Sequence, residues 1–191
     1  MALERTVFLD RDGVINVDSP AYIKSWKEFA FLPGSLEAMV ELTRSGHQLI
    51  LITNQSIIGR GMVPLSALQD IHLRLQRAVE AAGGRIVDIF YCPHHPDDCC
   101  DCRKPAPGMI LAAGRRHHVN LSSAVMIGDT DKDIHCGRNA GCGATILVRT
   151  GNGRAAERAL RSQGVDTIVA DDLSHAARML VSERHRVFSD R

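Results

Sequence analysis

Neither sign of charge prevails in this chain of 191 residues: 23 Lys and Arg stand against 22 Asp and Glu, a net charge of +1. The broad basic field that would hold nucleic acid or an anionic membrane is therefore missing, and neither is expected as a partner. No apolar segment approaches the roughly 20 residues that cross a bilayer. Met1-Ala2-Leu3-Glu4-Arg5-Thr6 does not read as a signal peptide, so a cytoplasmic location is expected. Internal repeats, low-complexity tracts and linker-like stretches are also lacking. With 45% hydrophobic and 24% charged residues, the chain reads as one globular domain over 1–182, with a charged tail at 183–191 expected to fray. A monomer is expected.

What is present is an alternation of strands and helices. Residues 7–9 are apolar and deliver Asp10-Arg11-Asp12-Gly13; the polar stretch 10–33 that follows reads as loop. Ser35 is placed to cap a helix whose stripe is Leu36, Met39, Val40 and Thr43. Residues 48–53 form a continuous β-branched and apolar run, as a strand covered on both faces should. A helix from Ser66 to about Ala82 follows, then strands at 86–91, 124–128 and 144–148. Helices are expected from Pro107 to about His118, after Asp129 to about Asn139, and over 154–162. A short strand near 167–170 and a helix from Ser174 complete the pattern. The fold class is α/β: a doubly wound parallel sheet in three layers.

In such sheets ligands bind beyond the carboxyl ends of the strands. The chemically useful residues collect there: Asp10 and Asp12 after the first strand, Thr53 after the second, Arg103 and Lys104 beyond the third, Asp129 and Asp133 after the fourth. Residues i and i+2 leaving an extended strand point the same way. Two carboxylates so placed need a cation or a proton between them. Six cysteines are present, Cys92, Cys99, Cys100, Cys102, Cys136 and Cys142, and four crowd into one segment. Without an export signal, that crowding favours metal over disulfides. Three thiolates and the His94 imidazole compose a closed structural Zn²⁺ site. Cys92, His94 and Cys102 combine with either Cys99 or Cys100 at workable spacing. Such a site would brace the loop 92–105 and so place Arg103 and Lys104. Cys136 and Cys142 read as core.

The ordered set Asp10-x-Asp12-Gly13, Thr53, Lys104 and Gly128-Asp129-x-x-x-Asp133 resembles the four motifs of the haloacid dehalogenase (HAD) superfamily of aspartate-nucleophile phosphotransferases, across roughly residues 5–150. Within it, the segments 10–18, 53–56 with 59–61, 91–95, 100–105 and 148–151 are similar to the heptose-bisphosphate phosphatase family. The resemblance implies a HAD Rossmann-like fold and a phosphatase acting on a small phosphorylated sugar, removing the 7-phosphate in the supply of nucleotide-activated heptose. Asp10 is the implied nucleophile and Asp12 the acid–base, the latter needing a pKa raised by burial and its acidic neighbour. Thr53, the Asn54 amide and Lys104 would bind the phosphoryl oxygens, and Arg103 a second anionic group. Asp18, Tyr22, Gln55 and Ser56 complete the implied substrate contacts. Mg²⁺ would be held by the Asp10 and Asp129 side chains and the Asp12 carbonyl, with Asp133 reached through water. The family's Cys-x-Cys-Arg-Lys selects Cys100 over Cys99 for Zn²⁺.

Two departures are visible. Thr130 stands where that family often has Lys, and Ser56 stands where histidinol-phosphate phosphatases, which share the cysteine loop, usually carry an acid. The loop after Asp10 is too short for a large cap domain, so an open site roofed by 14–25 and 92–105 is expected. Alternative readings are a histidinol-phosphate phosphatase or a phosphatase of another small phosphomonoester, a phosphatase of DNA 3′ ends, and a non-enzymatic zinc-loop binding module.

Overall fold

Side chains along the central strands alternate between two faces, and both faces are buried. In a computed structural model, which describes residues 5–189 and side chains through 182, the strands are β1 (Thr6–Leu9), β2 (Gln48–Asn54), β3 (Ile86–Cys92), β4 (Val125–Gly128), β5 (Ala144–Val148) and β6 (Ile168–Ala170). The helices are α1 (Ser35–Arg44), α2 (Leu65–Ala81), α3 (Gly108–His117), α4 (Asp131–Ala140), α5 (Gly153–Ser162) and α6 (Leu173–Ser189). Val7, Leu9, Leu49, Leu51 and Ile127 point to one face, against Met39 and Leu42 of α1, Leu75 and Val79 of α2, and Ala176 and Ala177 of α6. Phe8, Ile50, Ile52 and Met126 point to the other, against Ile110 and Ala113 of α3 and Cys136 of α4. Strands buried on both faces carry apolar side chains at every position, which is why 48–53 shows no alternation in sequence.

All six strands are parallel, in the order β3-β2-β1-β4-β5-β6. The chain reverses its direction of winding between β1 and β4, and there the helices on either side part to leave a crevice. Leu9 pairs with both Leu51 and Ile127, and the Asp10 amide donates to the Ile127 carbonyl at 3.0 Å. The ends of β1 and β4 are thereby level, so Asp10 and Asp129 leave the sheet side by side. Among the described residues no large cap domain intervenes.

Three local expectations change. Ser35 does not cap α1: Gly34 holds that position, while the Ser35 hydroxyl donates to the Ile15 carbonyl at 2.7 Å and pins the roof loop to the helix. The second helix opens at Leu65 after Pro64, not at Ser66, since proline's fixed φ suits a helix entry. The stretch 10–33 is more ordered than its polarity implies. It carries a short 3₁₀ turn at Trp26–Glu28, and Trp26 stacks on Phe29 at 4.7 Å. The last helix, α6, runs to Ser189 and so into the charged tail; 190 and 191 lie outside the described residues.

Leu51 is fully buried in a central strand. Leu51→Ala is expected to lower unfolding free energy by about 2–5 kcal/mol, read from urea denaturation, because the cavity between sheet and helices closes only in part.

Candidate active site

Three carboxylates and one ammonium meet at the β1/β4 crevice. Oxygens of Asp10, Asp129 and Asp133 lie within 4.8 Å of one another, all three residues buried. Lys104 Nζ reaches Asp10 Oδ1 at 2.8 Å and Asp133 Oδ1 at 2.6 Å, and donates to the Ile52 carbonyl at 2.9 Å. Asp133 arrives from the first turn of α4, where its Oδ2 accepts from the Thr130 amide at 3.0 Å and hydroxyl at 2.6 Å. The cap that starts the helix thus also aims its other oxygen at Lys104.

One ammonium cannot neutralise three carboxylates. Burial, with repulsion from Asp133 and Asp12 and against the pull of Lys104, raises Asp10 to about 7. Burial, then Asp10 and Asp133, raises Asp129 to about 8. Asp129 Oδ1 is buried with no hydrogen-bond partner. Its Oδ2 accepts from the Asn152 amide at 2.8 Å. Gly13 and Gly151, both at positive φ, form the walls: a Cβ on either would overlap Asp129 Oδ2. An orphaned anionic oxygen in an all-oxygen nest is what a hard divalent cation fits, and Asp10 and Asp129 could hold one.

Asp12 contradicts its expectation. Burial would raise its pKa, but the Arg11 guanidinium and the Asn16 and Gln55 amides outweigh burial and lower it. Arg11 Nη2 sits 2.9 Å from both Asp12 oxygens, Asn16 Nδ2 2.8 Å from Oδ1 and Gln55 Nε2 2.9 Å from Oδ2. Asp12 therefore rests as a carboxylate. Gln55 is corrected too. It is buried, and its amide bridges Asp12 and the Thr53 hydroxyl (2.9 Å) instead of facing a ligand. Asn54 grips the Lys104 backbone, accepting from its amide at 3.1 Å and donating to its carbonyl at 3.3 Å.

Above this floor lies a cavity of about 340 Å³ lined by Asp10, Asp12, Asp18, Tyr22, Thr53, Asn54, Ser56, Arg103, Lys104 and Asp129 among others. Arg103 lines this cavity, and its Nη1 is buried with no hydrogen-bond partner. Asp18 Oδ2 accepts from Asn152 at 3.1 Å, and the Arg60 guanidinium stands 5.9 Å over the Tyr22 ring. A larger apolar groove beside α1 and α6, lined by Leu36, Val40 and Val181, brings none of these groups together. In the loop after β3, ligand atoms of Cys92, His94, Cys100 and Cys102 also converge within 4.8 Å. Cys99 is exposed and is not among them.

A HAD-hydrolase-like family model matches residues 101–176. The chain is 43% identical to the D-glycero-beta-D-manno-heptose-1,7-bisphosphate 7-phosphatase of Bordetella bronchiseptica, over 94% of this chain and 99% of that one. It is 42% identical to the enzyme of the same name from Pseudomonas putida, over 93% and 99%. A crystal structure of D,D-heptose 1,7-bisphosphate phosphatase from B. bronchiseptica, complexed with magnesium and phosphate, superposes with a TM-score of 0.88 at 43% identity, covering 94% and 99%. The chain belongs to the HAD-like hydrolases. For a HAD hydrolase the four motif positions named from sequence do share one crevice, and their supports are what sequence reading missed: Arg11, Asn16, Asn152 and His72, whose Nε2 lies 3.4 Å from Arg11 Nη1. Arg11 lay in view as the residue between two acids, and Asn152 directly follows the last matched segment. Among the described residues no helix is long and apolar enough to cross a membrane.

The raised groups fix a sign for stability against pH. Asp10 and Asp129 bind protons more tightly folded than unfolded, so their contribution is complete below about pH 4 and is lost as pH rises through about 7–8. In Mg²⁺-free buffer, stability is expected to fall over that window. Added Mg²⁺ should raise the melting temperature more at pH 8 than at pH 5.5; an equal rise at both would contradict this.

Proposed function

We propose that this HAD hydrolase is a Mg²⁺-dependent phosphatase that removes the 7-phosphate of D-glycero-β-D-manno-heptose 1,7-bisphosphate, in the cytoplasm, on the route to nucleotide-activated heptose for surface polysaccharide. The observation that carries the reading is the Asp10–Asp129–Asp133 nest beneath a cavity lined by Arg103, in a chain this similar to enzymes of that name. Mg²⁺, held by the Asp10 and Asp129 side chains and the Asp12 carbonyl, would supply positive charge for the phosphoryl oxygens. Asp133, committed to Lys104 and Thr130, would act on the ion through water.

The remaining work belongs to the chain's own groups. The Asp10 carboxylate attacks phosphorus, the bond to the C7 oxygen breaks, and an aspartyl-phosphate forms. Lys104, the Thr53 hydroxyl and the Asn54 amide hold the equatorial oxygens. Asp12 gives a proton to the departing alkoxide, then takes one from the water that cleaves the intermediate, which restores both aspartates and releases phosphate. Because Asp12 rests ionised, its acid form has to arise with the substrate: phosphate oxygens beside it offset the pull of Arg11 and favour protonation. Arg103 holds the 1-phosphate, with Asp18, Tyr22 and Ser56 toward the sugar. The Cys92, His94, Cys100 and Cys102 cluster would hold Zn²⁺, closed and structural.

Phosphate release from the β-anomer of the heptose bisphosphate is expected to outpace release from the α-anomer and from histidinol phosphate. A reversed order against histidinol phosphate would reassign the substrate. Asp10→Asn should abolish turnover while leaving the circular dichroism spectrum unchanged. Metal analysis should find one Zn²⁺ per chain, and its removal by a chelator should lower the melting temperature even with Mg²⁺ in excess.

A further inference from the structure

Arg11 is almost wholly buried, 1% exposed, and its guanidinium is divided between two partners. Nε and Nη2 face Asp12, while Nη1 lies 3.4 Å from Nε2 of His72, 61 residues away on α2. A guanidinium only donates, so Nε2 accepts, and the ring is neutral with its proton on Nδ1. Burial, then the charge of Arg11, holds His72 down at about 3, which keeps that tautomer available. The ring is 6% exposed and packs at 5.6 Å from Tyr91 of β3. On α2, His72 occupies a stripe otherwise filled by Leu68, Ile71, Leu75 and Val79. A polar ring there is costly unless it is bonded, and Arg11 is the hydrogen-bond partner it meets.

We propose that His72 is a positioning residue: by accepting from Arg11 Nη1 it sets the plane of the guanidinium, and through that plane the angle at which Asp12 meets the leaving oxygen. Asp12 is also held by Asn16 and Gln55, but each offers it a single bond, whereas the fork of Arg11 spans both oxygens and orients the carboxylate as a unit. A small rotation of that fork changes proton delivery without changing how substrate is bound.

This inference rests on the phosphatase reading and on the acid role of Asp12. The test compares His72→Leu, His72→Asn and His72→Gln on an alkyl phosphate, the heptose bisphosphate, and on p-nitrophenyl phosphate, whose leaving group departs without a proton. Gln places an oxygen near the Nε2 position; Asn is too short to do so and serves as a polar control should the Leu variant not fold. For Leu and Asn, kcat on the alkyl phosphate should fall about tenfold with KM within about twofold, as for loss of one bond to a charged group. On p-nitrophenyl phosphate the first step, read as the burst of p-nitrophenolate, should slow by under about twofold, since Asp12 enters there only at the later attack of water, and Gln should retain most of the wild-type rate on both. A p-nitrophenolate burst slowed as much as turnover of the alkyl phosphate, no loss in Leu or Asn, or Gln as slow as Asn would overturn the proposal while leaving an active wild type to support the phosphatase reading. A wild type that released phosphate from neither ester would remove both.

Discussion

Lys104 is the hinge of the electrostatics. Its ammonium is buried among Asp10, Asp133 and the Ile52 carbonyl, and Asp129 stands beside them. Burying one such charge unpaired costs several kcal/mol, so the arrangement is tolerable only as a set. The set is still short of positive charge, and this shortage makes the crevice a receptor for a cation and, through it, for phosphate. Lys104 is itself pushed upward: burial opposes its charge, but Asp10 and Asp133 outweigh burial. It stays protonated throughout, a fixed charge that leaves proton transfer to other groups.

The division of labour between the first two acids follows from their surroundings. Asp10 sees a carboxylate neighbourhood and one shared ammonium, whereas Asp12 sees a guanidinium and two amides. They are separated by one residue, and that residue is the guanidinium. The chain turns directly after β1, and the side chain of Arg11 runs to the interior side, 1% exposed. Because that side is buried, the long side chain satisfies its donors on Asp12 and His72.

The fold was legible because its signals are redundant. Each strand is an apolar run bounded by Gly, Pro or a capping residue, and the parallel sheet follows from their alternation with helices. The motif acids were legible because each lies within a few residues of the carboxyl end of a strand. The supporting residues were harder to see, and for a common reason: Gln55, Asn16 and Asn152 are unremarkable polar residues whose roles depend on partners 43, 4 and 23 positions away. Gln55, read as a substrate contact, points inward because the donors of its amide are needed by Asp12 and Thr53. The expected rise in the pKa of Asp12 weighed burial and its acidic neighbour but not Arg11, Asn16 and Gln55, which outweigh them. His72 hid as one more member of an apolar stripe. For the cysteines, spacing left two sets open, and three-dimensional convergence selects Cys100.

The paired bonds between Asn54 and the Lys104 backbone carry one more implication, for local opening. The segment bearing Lys104 follows an edge strand, where fraying is ordinarily cheap. Here, peeling it away would extract the ammonium and strand two carboxylates in the interior. The peripheral segment therefore borrows the cooperativity of the sheet's centre. Amide exchange at Lys104 should be governed by unfolding of the whole domain.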